Sequence, residues 1–446
     1  MAVDLNCPLN ARNNFCKNVT FVNGMFKKDL QYYKFCGYGF LKNLRFFEAF
    51  LVLFFLEKHL SFVQIGTLYA VREILSNIFS IPTGIFADSF GRRRSMVLAF
   101  LAYILAFLVY YFSGHYPMLL AGTIVFAFGE AFRQGTHKAM ILEYLTENGW
   151  TDQKVLYYGH TRSWSQMGSA LSSLIGAFII FYQGEYRNVF LFSVIPYLLD
   201  MILIMSYPSS LEGEMRTLDT SRIWTSFSNV AREFAFSFKR KDILQAITNL
   251  SMHTGFHKAV KDYLQPVLQG LALATPLLIT LESKQRASLL VGACYFFIYL
   301  LTSFMSRYSG KLAKQHGNLA VLLNITMFAG FTAGLLSGIS IVAGLGWLAV
   351  ALYVGIFLVE NLRKPMGVAY LSDRLEQNIM ATALSAESQA ETLTAVLIAP
   401  VMGFVADKLG IGYSLMIVSG FLFLSALFYK AGYYRAGKSN SGDSLT

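Results

Sequence analysis

Charge is what this sequence has least of. Only 14% of its 446 residues are Asp, Glu, Lys or Arg, against roughly 25% in an ordinary soluble domain. Hydrophobic residues make up 55% and aromatics 15%. A soluble protein has no water-compatible surface to spare for so much apolar area, so the chain reads as an all-α integral membrane protein. Cysteine is scarce too. Cys7, Cys16, Cys36 and Cys294 show neither metal nor disulfide spacing and read as free thiols. The N-terminal arm, residues 1–40, is polar and basic and lacks the apolar run of a secretory signal. Its Asn18-Val-Thr matches a glycosylation pattern, but the arm reads as cytoplasmic. Metal-ligand clusters, a nucleophile elbow and a Walker-type phosphate loop are all missing, so no catalytic residue, metal or cofactor is expected.

Long apolar runs are abundant. A spanning helix needs about 20 mostly apolar residues, and twelve candidates lie near 41–58, 64–86, 95–112, 117–140, 160–182, 188–206, 243–268, 286–306, 318–338, 341–361, 383–406 and 411–430. They divide into two six-helix bundles, 41–206 and 243–430, joined by the polar linker 207–242. In that linker Ile223, Trp224, Phe227, Val230, Phe234 and Phe238 recur at helical spacing among Arg222, Arg232, Lys239 and Arg240, as in a helix lying on a membrane surface. The net charge of +11 is unevenly placed. Arg92 to Arg94, Arg216, Arg222, Arg307, Lys311, Arg363 and the tail 431–446 fall on one side, leaving few bases on the other. By the positive-inside rule both termini are cytoplasmic, and the charge faces anionic lipid rather than nucleic acid. Twelve spans in six plus six, related by pseudo-two-fold symmetry, outline a secondary transporter.

The stretch "PTGIFADSFGRRRSM" ends the second span on Gly84, Asp88, Gly91, Arg92, Arg93 and Arg94. A small residue such as Gly84 lets another helix approach closely in lipid. Asp88 can meet a neighbouring helix N-terminus or an arginine, Gly91 makes the turn, and the arginines hold this end inside. A second copy, "APVMGFVADKLG", repeats the spacing as Gly403, Asp407 and Gly410 in the eleventh span, on the opposite face. In sequence and placement the first stretch resembles the signature of the major facilitator superfamily, with Ser89 where that family prefers a base. The resemblance covers about residues 40–430. It implies an inner gate at Gly84, Asp88, Gly91, Arg92 and Arg93. Glu387 and Glu391, four apart on one face at the inner end of the eleventh span, are the expected partners of the arginines, and the second copy on the opposite face suggests an outer gate at Gly403, Asp407 and Gly410.

Ionisable residues inside spans are costly and mark functional sites by default. The candidates for substrate binding or proton coupling are Glu48, Arg72, Glu73, Glu130, Arg133, His137, Lys258 and Asp262. Lys258 and Asp262, four apart, are expected to pair; Glu130 and Arg133 are three apart. The glutamates suit proton loading and His137 suits a relay, while Arg72, Arg133 and Lys258 suit an anionic group of a small-molecule substrate. "NLRKPMGVAYLSDRLEQNIMATALSAESQAETL" and "GEAFRQGTHKAMILEYL" resemble the bacterial drug-exporter-like branch, whereas the Gly-Pro motif of proton-antiporting exporters is missing from the fifth span. The expectation is therefore a monomeric transporter in a bacterial inner membrane, exporting an amphiphilic or drug-like compound with proton coupling. Uptake or exchange of a small organic anion is the alternative, and a non-transporting membrane receptor is the alternative of another class.

Overall fold

The computed structural model describes residues 27–212, 241–276, 279–316, 318–372 and 377–428, with isolated positions at 225, 228 and 232. Asn18, Cys7 and Cys16, most of the linker with its expected surface helix, and the tail from 429 lie outside the described residues. Within them all regular structure is helical. Seven helices are long and apolar enough to cross a membrane by length and composition. Leucine, isoleucine and phenylalanine side chains such as Leu105, Phe112, Ile195, Ile202 and Phe304 stand exposed on them. That is the reverse of a water-soluble surface, and it suits hydrocarbon.

In chain order the helices are α1 Leu30–Lys42, α2 Leu51–Glu57, α3 Phe62–Phe90, α4 Arg92–Phe112, α5 Tyr116–Arg133, α6 Thr136–Glu147, α7 Lys154–Gln183 and α8 Asn188–Met205. After the linker come α9 Lys241–Val260, α10 Leu264–Ala274, α11 Ser283–His316, α12 Leu319–Val342, α13 Gly346–Ser372, α14 Gln377–Leu409 and α15 Ile411–Ala426. Local sequence sets their ends. Asp29 accepts the Tyr32 amide at the start of α1, and Ser61 and Gln64 form a capping box on α3. Gly91 (φ 97°) ends α3 and Gly410 (φ 93°) ends α14, a backbone region where a Cβ is strained. α4 packs on α5 and α8, and α1 on α7 and α8; α9 packs on α14, and α12 on α13 and α15. The helices before the linker meet those after it mainly where α3 crosses α14 and where α7 crosses α11.

Three spans that the sequence suggests as continuous are interrupted. The first begins at Leu30, within the expected arm, and its helix breaks between Lys42 and Leu51, with a short 3-10 turn at Glu48–Phe50. The seventh breaks at Lys261–Tyr263, and the fourth turns at Gln134 and Gly135 (φ 79°). A break in a span frees backbone groups that lipid cannot satisfy, so something in the protein must. Gln265 does this at the first. Its Oε1 accepts the Val52 amide at 2.8 Å and its Nε2 donates to the Glu48 carbonyl at 3.0 Å. Gln265 lies just after the seventh span's own break, so one amide side chain ties the two interrupted segments together.

Replacing Gln265 by leucine, similar in size but without hydrogen bonds, leaves both Glu48 and Val52 backbone groups unmet in a buried place. The expected loss is about 1–3 kcal/mol per orphaned group, read as a lower thermal midpoint of the purified protein in detergent.

Candidate functional site

The two faces of the molecule are distinguished by the turns at their ends. One carries the Arg92–Arg94 turn between α3 and α4; the other carries the starts of α3 and α11 and the end of α14. At the second face the crossings are closed. The backbone of Gly66 lies against the Ala399 carbonyl and Pro400, and that of Gly403 against Phe62, so that a Cβ on either glycine would collide with main chain. Asp407 completes this contact. Its carboxylate accepts the Phe62 and Val63 amides at 2.7 and 2.8 Å, capping α3 with the charge its N-terminus favours. In the α7–α11 crossing Gly292 lies against Ser173 and Ala177. Lys284 there binds Glu57 at 2.5 Å and the Gly184 carbonyl at 3.1 Å.

At the arginine face Gly84 and Asp88 of α3 make no matching contact among the described residues. A Cβ at Gly84 would meet no atom within 4 Å, and Asp88 is exposed and makes no hydrogen bond among the described residues. Arg92 pairs with Glu143 at 3.1 Å. Arg93 pairs with Glu212 at 2.9 Å and donates to the Tyr207 carbonyl. None of these partners comes from the helices after the linker: Glu143 belongs to α6, and Tyr207 and Glu212 lie at the linker's start. The expected pairing of Arg92 and Arg93 with Glu387 and Glu391 is therefore not formed in this conformation. Glu391 instead sits 3.2 Å from Lys258, and Glu387 lines a cavity with Arg363 and Lys364.

Between the faces the ionisable residues form one network across the two groups of helices. Lys258 of α9 reaches Glu391 of α14 and, at 3.7 Å, Glu73 of α3. Arg72 lies 3.6 Å from Glu73 and over the Tyr69 ring. Lys261, in the seventh span's break, is 3.7 Å from Glu48, in the first span's break, and 4.0 Å from Asp262. Lys258 and Asp262 do not pair as expected. The helix ends at Val260, and the four-residue spacing rule fails across a break. A second network lies within the first group. Glu130 bonds Arg133, Arg45 at 3.1 Å and the Tyr103 hydroxyl at 2.7 Å, while Arg45 also donates to Tyr197 at 2.7 Å. His137 stacks on Tyr38 and meets the Tyr207 hydroxyl at 3.3 Å.

Several residues of these networks escape the sequence reading. Arg45 and Lys42 stand at the polar edge of an apolar run and look like a membrane-surface flank, but the break beside them brings both inward. A third network, after the linker, is wholly buried: His253 Nδ1 lies 2.8 Å from Glu360, Thr254 donates to Glu360, and Arg363 binds Asn249 and Thr326. Glu360 and Arg363 fall at the expected edge of the tenth span, whereas α13 runs on to Ser372. Asp200 of α8 is fully buried, with neither carboxylate oxygen hydrogen-bonded among the described residues.

Known proteins resemble this architecture over nearly its whole length. The family model described as Major Facilitator Superfamily matches residues 43–386. An uncharacterized MFS-type transporter of Bacillus subtilis (strain 168), YxaM, is 19% identical over 383 residues, covering 86% of this chain and 90% of that protein. Among solved structures, the nucleoside transporter NupG superposes with a TM-score of 0.68 at 14% identity, covering 90% of this chain and 96% of that one. A D-xylose-proton symporter gives 0.66 at 15% identity, with coverages of 90% and 96%.

Removing one member of the central network leaves its partners charged and uncompensated. Lys258→Gln is expected to lower stability by about 1–3 kcal/mol, the pair being partly water-exposed. Adding Glu391→Gln should restore part of that loss, as measured by thermal unfolding of the single and double variants.

Proposed function

This chain belongs to the major facilitator superfamily, and we propose that it is a secondary active transporter moving a small organic solute by alternating access between two six-helix bundles of twelve spans. The observation that carries this reading is the asymmetry of the α3–α14 crossing. It is sealed by Gly66, Gly403 and Asp407 at one face and unsealed at Gly84 and Asp88 at the other. With both termini cytoplasmic in a bacterial inner membrane, as the basic loops suggest, the sealed end is the outer gate and this conformation is open inward. The opposite state breaks the Asp407 cap and brings Gly84, Asp88, Gly91, Arg92 and Arg93 toward the start of α14 near Glu387 and Glu391. Neither set of contacts can exceed the other by more than a few kcal/mol, or one state would dominate the cycle.

The substrate site in this reading is the central network of Glu48, Arg72, Glu73, Lys258, Lys261, Asp262 and Glu391, to which both bundles contribute. Its lysines and arginine support a polar solute bearing a carboxylate or phosphate. The names of similar structures, a nucleoside transporter and a D-xylose-proton symporter, support polar cargo as well. Glu73, Glu130 and Glu48, with His137 as relay, are the groups proposed to carry coupling protons. A second reading, proton-coupled export of amphiphilic compounds, draws on aromatic surface beside the charges: Tyr69 under Arg72 and Tyr299 beside Glu48. In both readings the protein works as a monomer in lipid, is not an enzyme, and needs no cofactor.

Purified protein in liposomes should accumulate or release a substrate down an imposed pH gradient, and Glu73→Gln should abolish the gradient dependence while exchange persists. Flux indifferent to the gradient in the parent protein would remove proton coupling. Asp407→Ala should raise the reactivity of a cysteine placed at Val63 toward an impermeant thiol reagent several-fold, because the outer cap is lost; unchanged labelling would contradict the gate.

A further inference from the structure

A cavity of about 210 Å³ lies between the C-terminal half of α1, the first part of α7 and the junction of α5 with α6. Its charged lining is of one sign. Lys42 from α1, Arg133 from α5, Lys138 from α6 and Arg162 from α7 all border it, with the His137 ring beside them, and no acidic residue does among the described ones. In a chain with 14% charged residues this concentration of one sign is costly, since like charges repel and burial weakens their hydration.

The first turn of α6 faces the same space. Gly135, at φ 79°, is its N-cap and no side chain caps it, so the leading amides of a twelve-residue helix (Thr136–Glu147) have no intrahelical acceptor. The positive end of the helix dipole adds to the cationic side chains. Lys42 is the second, independent sign. It is partly buried, and its ammonium makes no hydrogen bond or ion pair among the described residues; its backbone carbonyl alone is engaged, by Tyr197. Arg162 likewise has no partner among the described residues, and it stands on the exposed rim. The nearby carboxylate Glu130 lies behind Arg133, already bonded to Arg133, Arg45 and Tyr103. Asp200, within electrostatic reach of Lys42, contributes no hydrogen bond to it.

We propose that this cavity binds an oxoanion, the phosphate or carboxylate group of a small solute or the phosphate of a lipid headgroup, at a site separate from the central network. The uncapped α6 amides, Lys42 and Arg162 hold the oxygens, and Arg133 ties the bound charge to Glu130 and so to Arg45 in the first span's break. The site does not depend on the transport reading, because an oxoanion can bind here whether or not it is carried.

The test is the thermal midpoint of the full chain in nanodiscs of zwitterionic lipid, titrated with inorganic phosphate against chloride at equal ionic strength. Binding to the folded state raises the midpoint by mass action. Phosphate is expected to stabilise where chloride does not, and Lys42→Gln and Arg162→Gln each to raise the phosphate Kd about tenfold, the size of one lost charge-assisted hydrogen bond. Arg162 sits on the rim, so its variant reads binding even if Lys42→Gln folds poorly. A parallel arm uses discs containing phosphatidic acid. If the lipid alone stabilises the parent protein, phosphate then adds nothing, and both variants lose the effect, the site takes a lipid headgroup. If phosphate remains additive, it takes a soluble oxoanion. Equal stabilisation by phosphate and chloride with no effect of phosphatidic acid, or parent-like behaviour of Arg162→Gln in both arms, overturns the proposal.

Discussion

The arrangement of the interrupted helices depends on keeping their freed polar groups paired where water is scarce. The demand is sharpest at two of the three interrupted spans, where the backbone between Lys42 and Leu51 and the turn Lys261–Tyr263 leave their helices at mid-depth. Gln265 and the Lys261–Glu48 pair answer it together. They lie on opposite sides of the linker in sequence, so satisfying the backbone before the linker requires a residue after it. Irregular backbone at such depth is tolerated only where protein or a cavity receives it, and broken helices are where transporters of this kind gather their charges. The cost of breaking the helices thus supplies the site.

The second constraint is steric. Two long helices cross at backbone distance where one of them presents a residue without a Cβ to the other's main chain, which is why Gly66 and Gly403 sit at the α3–α14 crossing and Gly292 at the α7–α11 crossing. Glycine contacts gain little from side-chain burial, so this crossing holds few side chains that would leave a void on separation, and the charged Asp407 cap adds a directed contact at this end. Asp88 holds the matching position at the far end of α3, exposed in this state. A repeated motif with one copy engaged and the other idle is what a two-state gate requires.

Much of this was legible in the residues, and the limits are instructive. Composition and apolar runs gave the membrane class, because burial in lipid leaves no choice of residue. The Gly84–Asp88–Gly91 spacing and its copy at Gly403–Asp407–Gly410 were readable because a glycine at a crossing and an aspartate at a cap have few substitutes. The breaks were not. The runs 41–58 and 243–268 are apolar enough to read as continuous helices, and only packing against Gln265 makes the interruption affordable. Pairings between helices distant in sequence were hidden for the same reason. Lys258 looked toward Asp262 by helical spacing, yet it meets Glu73 and Glu391, partners remote in sequence. Lys42 and Arg45 read as flank because nothing local distinguishes a snorkelling base from an inward one.

The central claim is that the α3–α14 crossing closes at one face while it opens at the other. Two spin-label pairs test it most directly, one at Lys58 and Lys408 on the sealed face and one at Phe90 and Ser388 on the arginine face, with distances measured across pH and candidate solutes in nanodiscs. The account predicts that the two distances change in opposite directions, the first lengthening as the second shortens. Distances that stay fixed under every condition, or that lengthen together, would contradict it.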